Sequence, residues 1–197
     1  MEGRIATIER KTKETDIKLT LNIDGTGICD INTGIPFFDH MLSGFARHGM
    51  FDLSLSCKGD TEVDSHHTIE DCGIVLGEAI KKALGDKKAI KRYGFFLLPM
   101  DETLVMCAID ICGRPYFKYN LNFTVPKLGD MDTEMVREFF YAVSYGAMIN
   151  LHLKEMDGLN NHHIAEAAFK SFGKALDAAT QIEPRLGGRV WSTKGVL

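Results

Sequence analysis

Two stretches of this chain, "DSHHTIEDCG" at 64–73 and "NNHHIAEAAF" at 160–169, carry one pattern, His-His-x-x-Glu. Each stands at the start of a long helical pattern, and each is preceded by the same order of strand and helix signals. A chain that writes one order of elements twice is expected to pack as two copies of one unit, so this repetition bounds the fold more tightly than any other feature. The chain has seven histidines, and four of them lie in these two pairs.

In the first copy, "RIATIERK" and the alternating "IKLTLNI" read as strands. Thr15 and Asp16 are expected between them, and "DGTG" at 24–27 supplies the next turn. "CDIN" reads as a short strand. Pro36 opens a helix, "PFFDHMLSGFARHG", with Gly49 at its end. "FDLSLSCKG" alternates as a strand, and 65–84 is helical, with Ile69, Val75, Leu76, Ala79, Ile80 and Ala83 available for burial and Gly85 as the stop. In the second copy "YGFFLLPMD", "TLVMCAIDI" and "YFKYNL" read as strands, 132–147 as a helix, "MINLHLKEM" as a strand and 161–180 as a helix. Anchoring "FDLSL" on "INLHL" sets His40 opposite Glu138.

Strands followed by helices, without strict βαβ alternation, predict an α+β fold with helices packed on sheets. The expected organisation is a first repeat at 1–88, a second at 89–184 and a C-terminal tail at 185–197. The rival is a single mixed sheet with unrelated halves.

Composition narrows the partners. Charged residues are 25% of the chain and the formal net charge is −4, so there is no polybasic footprint for nucleic acid. Apolar runs such as "FFLLPM" are too short to span a membrane, and "MEGRIATIERK" lacks the apolar core of a signal peptide. Five cysteines with no C-x-x-C fit free thiols in a reducing cytoplasm.

On a helix, residues three or four apart share a face, whereas adjacent residues lie roughly 100° apart around the axis. Glu70 can therefore share a ligand set with His66 or His67, but the two histidines cannot readily face one ion. The same holds for His162, His163 and Glu166. The natural use is one histidine plus the glutamate on one ion, with the second histidine reaching another. H-E-x-x-H is absent, which excludes the zinc-protease pattern, and no cysteine neighbours either pair, which argues against a structural zinc knot. Mixed imidazole and carboxylate donors suit manganese, iron, cobalt or zinc.

The motifs "KET" (13–15), "TGIPFFDHML" (33–42), "GDTEVDSHHTIED" (59–71), "KRYG" (91–94), "CGRPY" (112–116), "NNHHIAEAAFKSFGKAL" (160–176) and "STKG" (192–195) occur here in order. On these the chain resembles the imidazoleglycerol-phosphate dehydratases of histidine biosynthesis, from Arg4 to Leu197. The resemblance implies a duplicated α+β unit whose helices are sandwiched between two mainly antiparallel four-stranded sheets. It further implies Mn²⁺ at two sites per subunit, with other divalent metals able to substitute. It also implies a cytoplasmic homo-oligomer of octahedral form, twenty-four subunits in that family, with active sites shared between neighbours.

The implied reaction removes water from imidazole glycerol phosphate to give imidazole-acetol phosphate. With the ring favoured as imidazolate, ring electrons can expel the hydroxyl on the attached carbon. The diazafulvene so formed acidifies the neighbouring C–H, and its deprotonation gives an enol that becomes the ketone. Metal ions would serve as Lewis acids and template, and carboxylates would move protons.

By the same resemblance the metal ligands are His40, His66, His67, Glu70, His162, His163 and Glu166. The eighth ligand place falls on Glu138, where relatives often carry histidine; His152 in "NLHL" is the alternative. Glu14 is expected to contact substrate and transfer protons, with Glu70 and Glu166 as further catalytic carboxylates. Arg92, Arg114, Lys170, Ser192, Thr193 and Lys194 are expected to bind substrate, in keeping with the affinity of guanidinium and ammonium groups for phosphate. Trp191 stands where the family commonly has proline. Asp101 and Glu102 read as turn residues. Two rivals remain: a non-catalytic metal-glued cage, which leaves Glu14, Arg92, Arg114 and "STKG" without a role, and a helix-bundle di-metal oxidase, whose Glu-x-x-His order is the reverse of this one.

Overall fold

The structure, a computed structural model, describes residues 3–197. Among the described residues the first half runs β1 (Ile5–Lys11), β2 (Thr15–Asn22), β3 (Cys29–Asn32), α1 (Pro36–Gly49), β4 (Asp52–Gly59) and α2 (His66–Leu84). The second half runs β5 (Tyr93–Met100), β6 (Thr103–Asp110), β7 (Tyr116–Asn120), the two-residue strands β8 (Lys127–Leu128) and β9 (Met131–Asp132), then α3 (Glu134–Ala147), β10 (Asn150–Asp157) and α4 (Asn161–Thr180). A 3₁₀ turn, Pro184–Leu186, follows.

The two main sheets have the orders β1-β2-β4-β3 and β5-β6-β10-β7. In each, two pairings are antiparallel and one, β3 with β4 or β7 with β10, is parallel. A parallel pair needs a crossover, and α1 and α3 supply it. The halves agree in pairing, so this is the duplicated α+β fold and not one mixed sheet. The alternation on β2 sends Ile17, Leu19 and Leu21 inward, and β6 buries Val105, Cys107 and Ile109 in the same way.

Helices α1 and α2 cover the first sheet, α3 and α4 the second, and the helix layers meet as α2 on α3 and α1 on α4. The core between them is aromatic. Phe139 stacks on Phe169 at 5.1 Å, Phe140 meets Phe169 at 4.8 Å, and Phe38 meets Phe139 edge-on at 5.2 Å. These rings are fully buried, each contributing about 1.5–3 kcal/mol of transfer free energy. Glycine permits the close crossings: a Cβ on Gly77 would lie 2.7 Å from the Val143 carbonyl oxygen, and one on Gly173 would lie 2.5 Å from that of Phe45.

Both crossover helices end alike, with Met50 and Met148 in the left-handed conformation, each donating its N–H to carbonyls of the last turn. That places Met148 outside the strand expected from 148, and β10 begins at Asn150. Thr15 and Asp16 lie within β2 and not in the turn. The Thr12 hydroxyl accepts N–H bonds from Glu14 (3.1 Å) and Thr15 (3.0 Å), so the turn closes before Thr15, which pairs with Gly59 of β4. The helix expected from 132 begins at Glu134, because Met131–Asp132 pairs with Lys127–Leu128. No helix of the described residues is long and apolar enough to cross a membrane.

Candidate active site

Both His-His pairs occupy the first turn of a helix. The Asn160 side chain caps α4, accepting N–H bonds from His162 (2.9 Å) and His163 (3.4 Å). On α2, Asp64 accepts the His66 N–H at 2.7 Å. Adjacent rings diverge as helical geometry requires: in each pair the centroids are 6.2 Å apart and the planes cross at 74° or 89°. Helical spacing left open which histidine joins the glutamate. It is the first in both copies, with His162 Nε2 3.0 Å from Glu166 and His66 Nε2 3.7 Å from Glu70.

Where α1 crosses α4, one donor atom each from His40, His162 and Glu166 come within 4.8 Å of one another. Glu166 is 8% exposed, and its two oxygens have different neighbours. Oε1 accepts from Lys170 Nζ at 2.7 Å, while Oε2 faces His162 at 3.0 Å and His40 at 3.8 Å. Burial alone would raise its pKa, but the Lys170 hydrogen bond and charge, with help from His40 and His162, hold it below the usual carboxylate value. Phe37 meets the His162 ring edge-on at 5.4 Å. Two imidazoles and a carboxylate oxygen that converge in this way fit a divalent metal such as Mn²⁺ or Zn²⁺.

The second histidines turn elsewhere. His67 Nδ1 lies 3.0 Å from an Asp60 oxygen, and its Nε2 faces Glu14 at 3.8 Å. The Asp60 hydrogen bond raises His67 above the ordinary imidazole value. His163 Nδ1 lies 2.9 Å from Glu102, and its Nε2 is 3.9 Å from Asp101. Asp60 and Glu102 are the side chains that sequence reasoning missed. A signal existed for Glu102: setting Thr15 of β2 on Thr103 of β6 aligns Glu14 with Glu102.

Glu138 sits on α3 where His40 sits on α1, half-buried, and accepts from Arg137 at 2.6 Å. His152 lies on the exposed face of β10 against Tyr116, on the opposite side of the strand from buried Leu151 and Leu153. That side faces away from the helices and both motifs.

Five of the expected substrate-binding residues meet at the other end of the fold. Arg92, Arg114, Ser192, Thr193 and Lys194 line one cavity of about 180 Å³ with Val196 and Leu197. Arg92 is anchored, its Nε and Nη2 donating to Asp110 at 2.7 and 3.1 Å and its Nη1 to the Trp191 carbonyl at 2.9 Å. Lys170 is not among them; it stands beside Glu166.

This is a duplicated α+β protein with clustered imidazole and carboxylate donors at helix starts and a cationic tail cavity. The chain matches the profile of the family described as imidazoleglycerol-phosphate dehydratase over residues 33–176. It is 66% identical over 195 residues to the imidazoleglycerol-phosphate dehydratase of Lachnoclostridium phytofermentans, covering 99% of each chain. It is 57% identical to that of Acetivibrio thermocellus, covering 96% of this chain and 97% of the relative. Among solved structures, the Staphylococcus aureus enzyme superposes with a TM-score of 0.83 at 38% identity, covering 91% of this chain and 99% of that one. The Pyrococcus furiosus enzyme gives 0.84 at 37% identity, covering 96% and 100%. The chain belongs to the imidazoleglycerol-phosphate dehydratase family and is an enzyme of the hydro-lyase class.

Proposed function

We propose that this protein is a metal-dependent dehydratase of histidine biosynthesis that converts imidazole glycerol phosphate to imidazole-acetol phosphate and water. The observation that carries the reading is the convergence of His40, His162 and Glu166 donors at the start of α4. Bound Mn²⁺ would supply Lewis acidity and a template for the substrate ring and hydroxyl. His40, His66, His67, Glu70, Glu138, His162, His163 and Glu166 are the proposed ligands, two metal sites per subunit.

Glu14 is proposed to take the proton from the carbon next to the one losing hydroxide. It is exposed on the β1–β2 turn and directed toward the His67 ring, so it can reach a substrate held there. Glu70 and Glu166 are proposed as the further proton-handling carboxylates. Lys170 holds one oxygen of Glu166 and leaves the other for the site, and is also placed to meet the substrate. Arg114, Ser192, Thr193 and Lys194, with Arg92 bracing the tail, are proposed to bind the phosphate.

The backbone of Arg92 bonds Ala179 near the end of α4, whereas Glu166 is in its second turn. At a rise of 1.5 Å per residue the two are roughly 20 Å apart along the helix. A substrate whose ring and phosphate are joined by three carbons is too short to bridge that distance. This favours a tail cavity serving a neighbouring subunit's metals, as in a cytoplasmic octahedral homo-oligomer with shared sites. In this reading residues 1–88 and 89–184 are the repeats and 185–197 is the substrate-binding tail.

The test is turnover of imidazole glycerol phosphate by chelator-stripped protein before and after Mn²⁺ is added. Ketone formation restored by metal is expected. No product with any divalent metal, in folded protein, overturns the reading.

A further inference from the structure

The Glu102 carboxylate divides its work between two oxygens. Oε1 accepts three donors, the backbone N–H groups of Asn160 (2.7 Å) and Leu159 (3.3 Å) and the Thr103 hydroxyl (2.9 Å). Oε2 faces His163 Nδ1 at 2.9 Å. A carboxylate offers only acceptors, so the nitrogen it faces must carry the proton. The neutral His163 ring is thereby held with hydrogen on Nδ1 and a lone pair on Nε2, the nitrogen that faces Asp101 at 3.9 Å. In the first repeat the same task falls to a different residue: Asp60 presents both oxygens to His67 Nδ1, at 3.0 and 3.2 Å. Two unrelated sequence positions thus leave the second histidine of each motif in one tautomer.

We infer that Glu102 is a positioning residue that fixes the His163 tautomer and ring so that Nε2 is ready to bind metal, with Asp60 doing the same for His67. An imidazole proton on Nε2 would occupy the coordinating lone pair and would have to be moved before binding. Carboxylates at this remove orient metal-binding imidazoles and raise their basicity. The inference rests on the reading of His163 as a ligand.

A merely structural role for Glu102, closing the loop before α4 through Asn160 and Leu159, predicts something different, and Glu102→Gln separates the two. With three donors converging on Oε1, the Gln carbonyl must stay there, so its NH₂ faces His163 Nδ1. The NH₂ can only donate, which drives the proton to Nε2 while the loop contacts persist.

The experiment titrates Mn²⁺ into chelator-stripped wild-type and Glu102→Gln protein and follows the free ion by its paramagnetic resonance signal. Urea unfolding of both metal-free forms runs alongside. Unchanged metal-free stability with affinity weakened by about 10–100-fold is expected. Equal affinities, with wild type binding normally, overturn the positioning role and leave the ligand reading intact. Affinity that falls only in step with metal-free stability also overturns it, in favour of loop closure. Wild type that binds no Mn²⁺, in folded protein, overturns both.

Discussion

Glu14 and Glu102 occupy the same place in two copies of one β-hairpin, each one residue before the threonine that opens the next strand, Thr15 of β2 and Thr103 of β6. Their attachments differ. Glu102 is tied to two backbone N–H groups, a hydroxyl and His163. The Glu14 side chain approaches His67 Nε2 at 3.8 Å, outside hydrogen-bond range, while Asp60 holds the other ring nitrogen at 3.0 Å. The repeat thus carries two equivalent carboxylates; among the described residues the surroundings tie down Glu102, whereas Glu14 is the one proposed to act on a ligand.

From that contrast, Glu14→Gln should lower kcat by about 10²–10⁴-fold, the usual worth of a positioned general acid or base. Mn²⁺ affinity should fall far less than kcat, since Asp60 and not Glu14 holds the His67 ring by a hydrogen bond. Steady-state kinetics at saturating metal, paired with a metal titration, checks both halves. A Glu14→Gln enzyme of normal kcat would remove Glu14 from the chemistry.

His162→Ala deletes one of the three converging donors and leaves Glu166 with its Lys170 partner. Bound Mn²⁺ per subunit should drop, as it should for His66→Ala on α2. Elemental analysis of desalted protein measures the loss, and sedimentation shows whether the assembly weakens with it. Full metal occupancy in His162→Ala would sink the ligand assignment.

Much of this was legible in the sequence because periodicity reports burial. The alternating strands, the helix opened by Pro36 and the register of His40 on Glu138 all stand where hydrophobic patterning puts them. Turn ends were less legible: Thr15 looks like a turn residue by type, but its backbone pairs with Gly59 and its hydroxyl donates to buried Asp71 at 2.5 Å. The β8–β9 ribbon is too short to show a period. Aligning Thr15 with Thr103 pairs Glu102 with Glu14, but what Glu102 and Asp60 touch could not be read from the sequence, for another reason. Which acceptor faces an imidazole is set by how a hairpin end lies over a helix start, a contact between residues distant in sequence.

The tail cavity predicts a binding defect more than a rate defect. Lys194→Ala or Arg114→Ala removes a cation from the cavity of about 180 Å³. Hydrogen bonds to charged groups contribute about 1.5–3 kcal/mol each. KM for the phosphorylated substrate should therefore rise by roughly 10–100-fold while kcat changes much less, a split that initial-rate measurements resolve. An unchanged KM would place the phosphate elsewhere.

Stability should respond sharply where helices touch through glycine. In Gly77→Ala the new methyl would sit 2.7 Å from both the Ala147 nitrogen and the Val143 oxygen, backbone atoms with little room to retreat. Overpacking of this kind costs about 1–3 kcal/mol, enough to outweigh the helix preference for alanine. Urea denaturation of the metal-free protein should show a lower midpoint at an unchanged slope. A higher midpoint would mean that the α2–α3 crossing is looser than these distances imply.

The segment leading into the tail should titrate. Glu183 is 8% exposed, and its carboxylate accepts from Arg185 at the backbone N–H (3.2 Å), Nε (2.7 Å) and Nη2 (2.6 Å). Its own N–H donates to Ala89 at 2.7 Å, which laps the segment onto the linker between the halves. The Arg185 hydrogen bonds lower its pKa from 4.5 to about 2. The folded form thus binds its proton less readily than the unfolded chain does. Stability from this group is complete above the unfolded value, shrinks as pH falls below it, and is lost on passing the folded value. Glu183→Gln lacks the charge at every pH. The gap in urea midpoint between it and wild type should be constant from neutral pH down to about 5, and should close steadily below that. A gap equally wide at neutral pH and near pH 2 would show that the substituted amide is disfavoured by its shape and not by its missing charge.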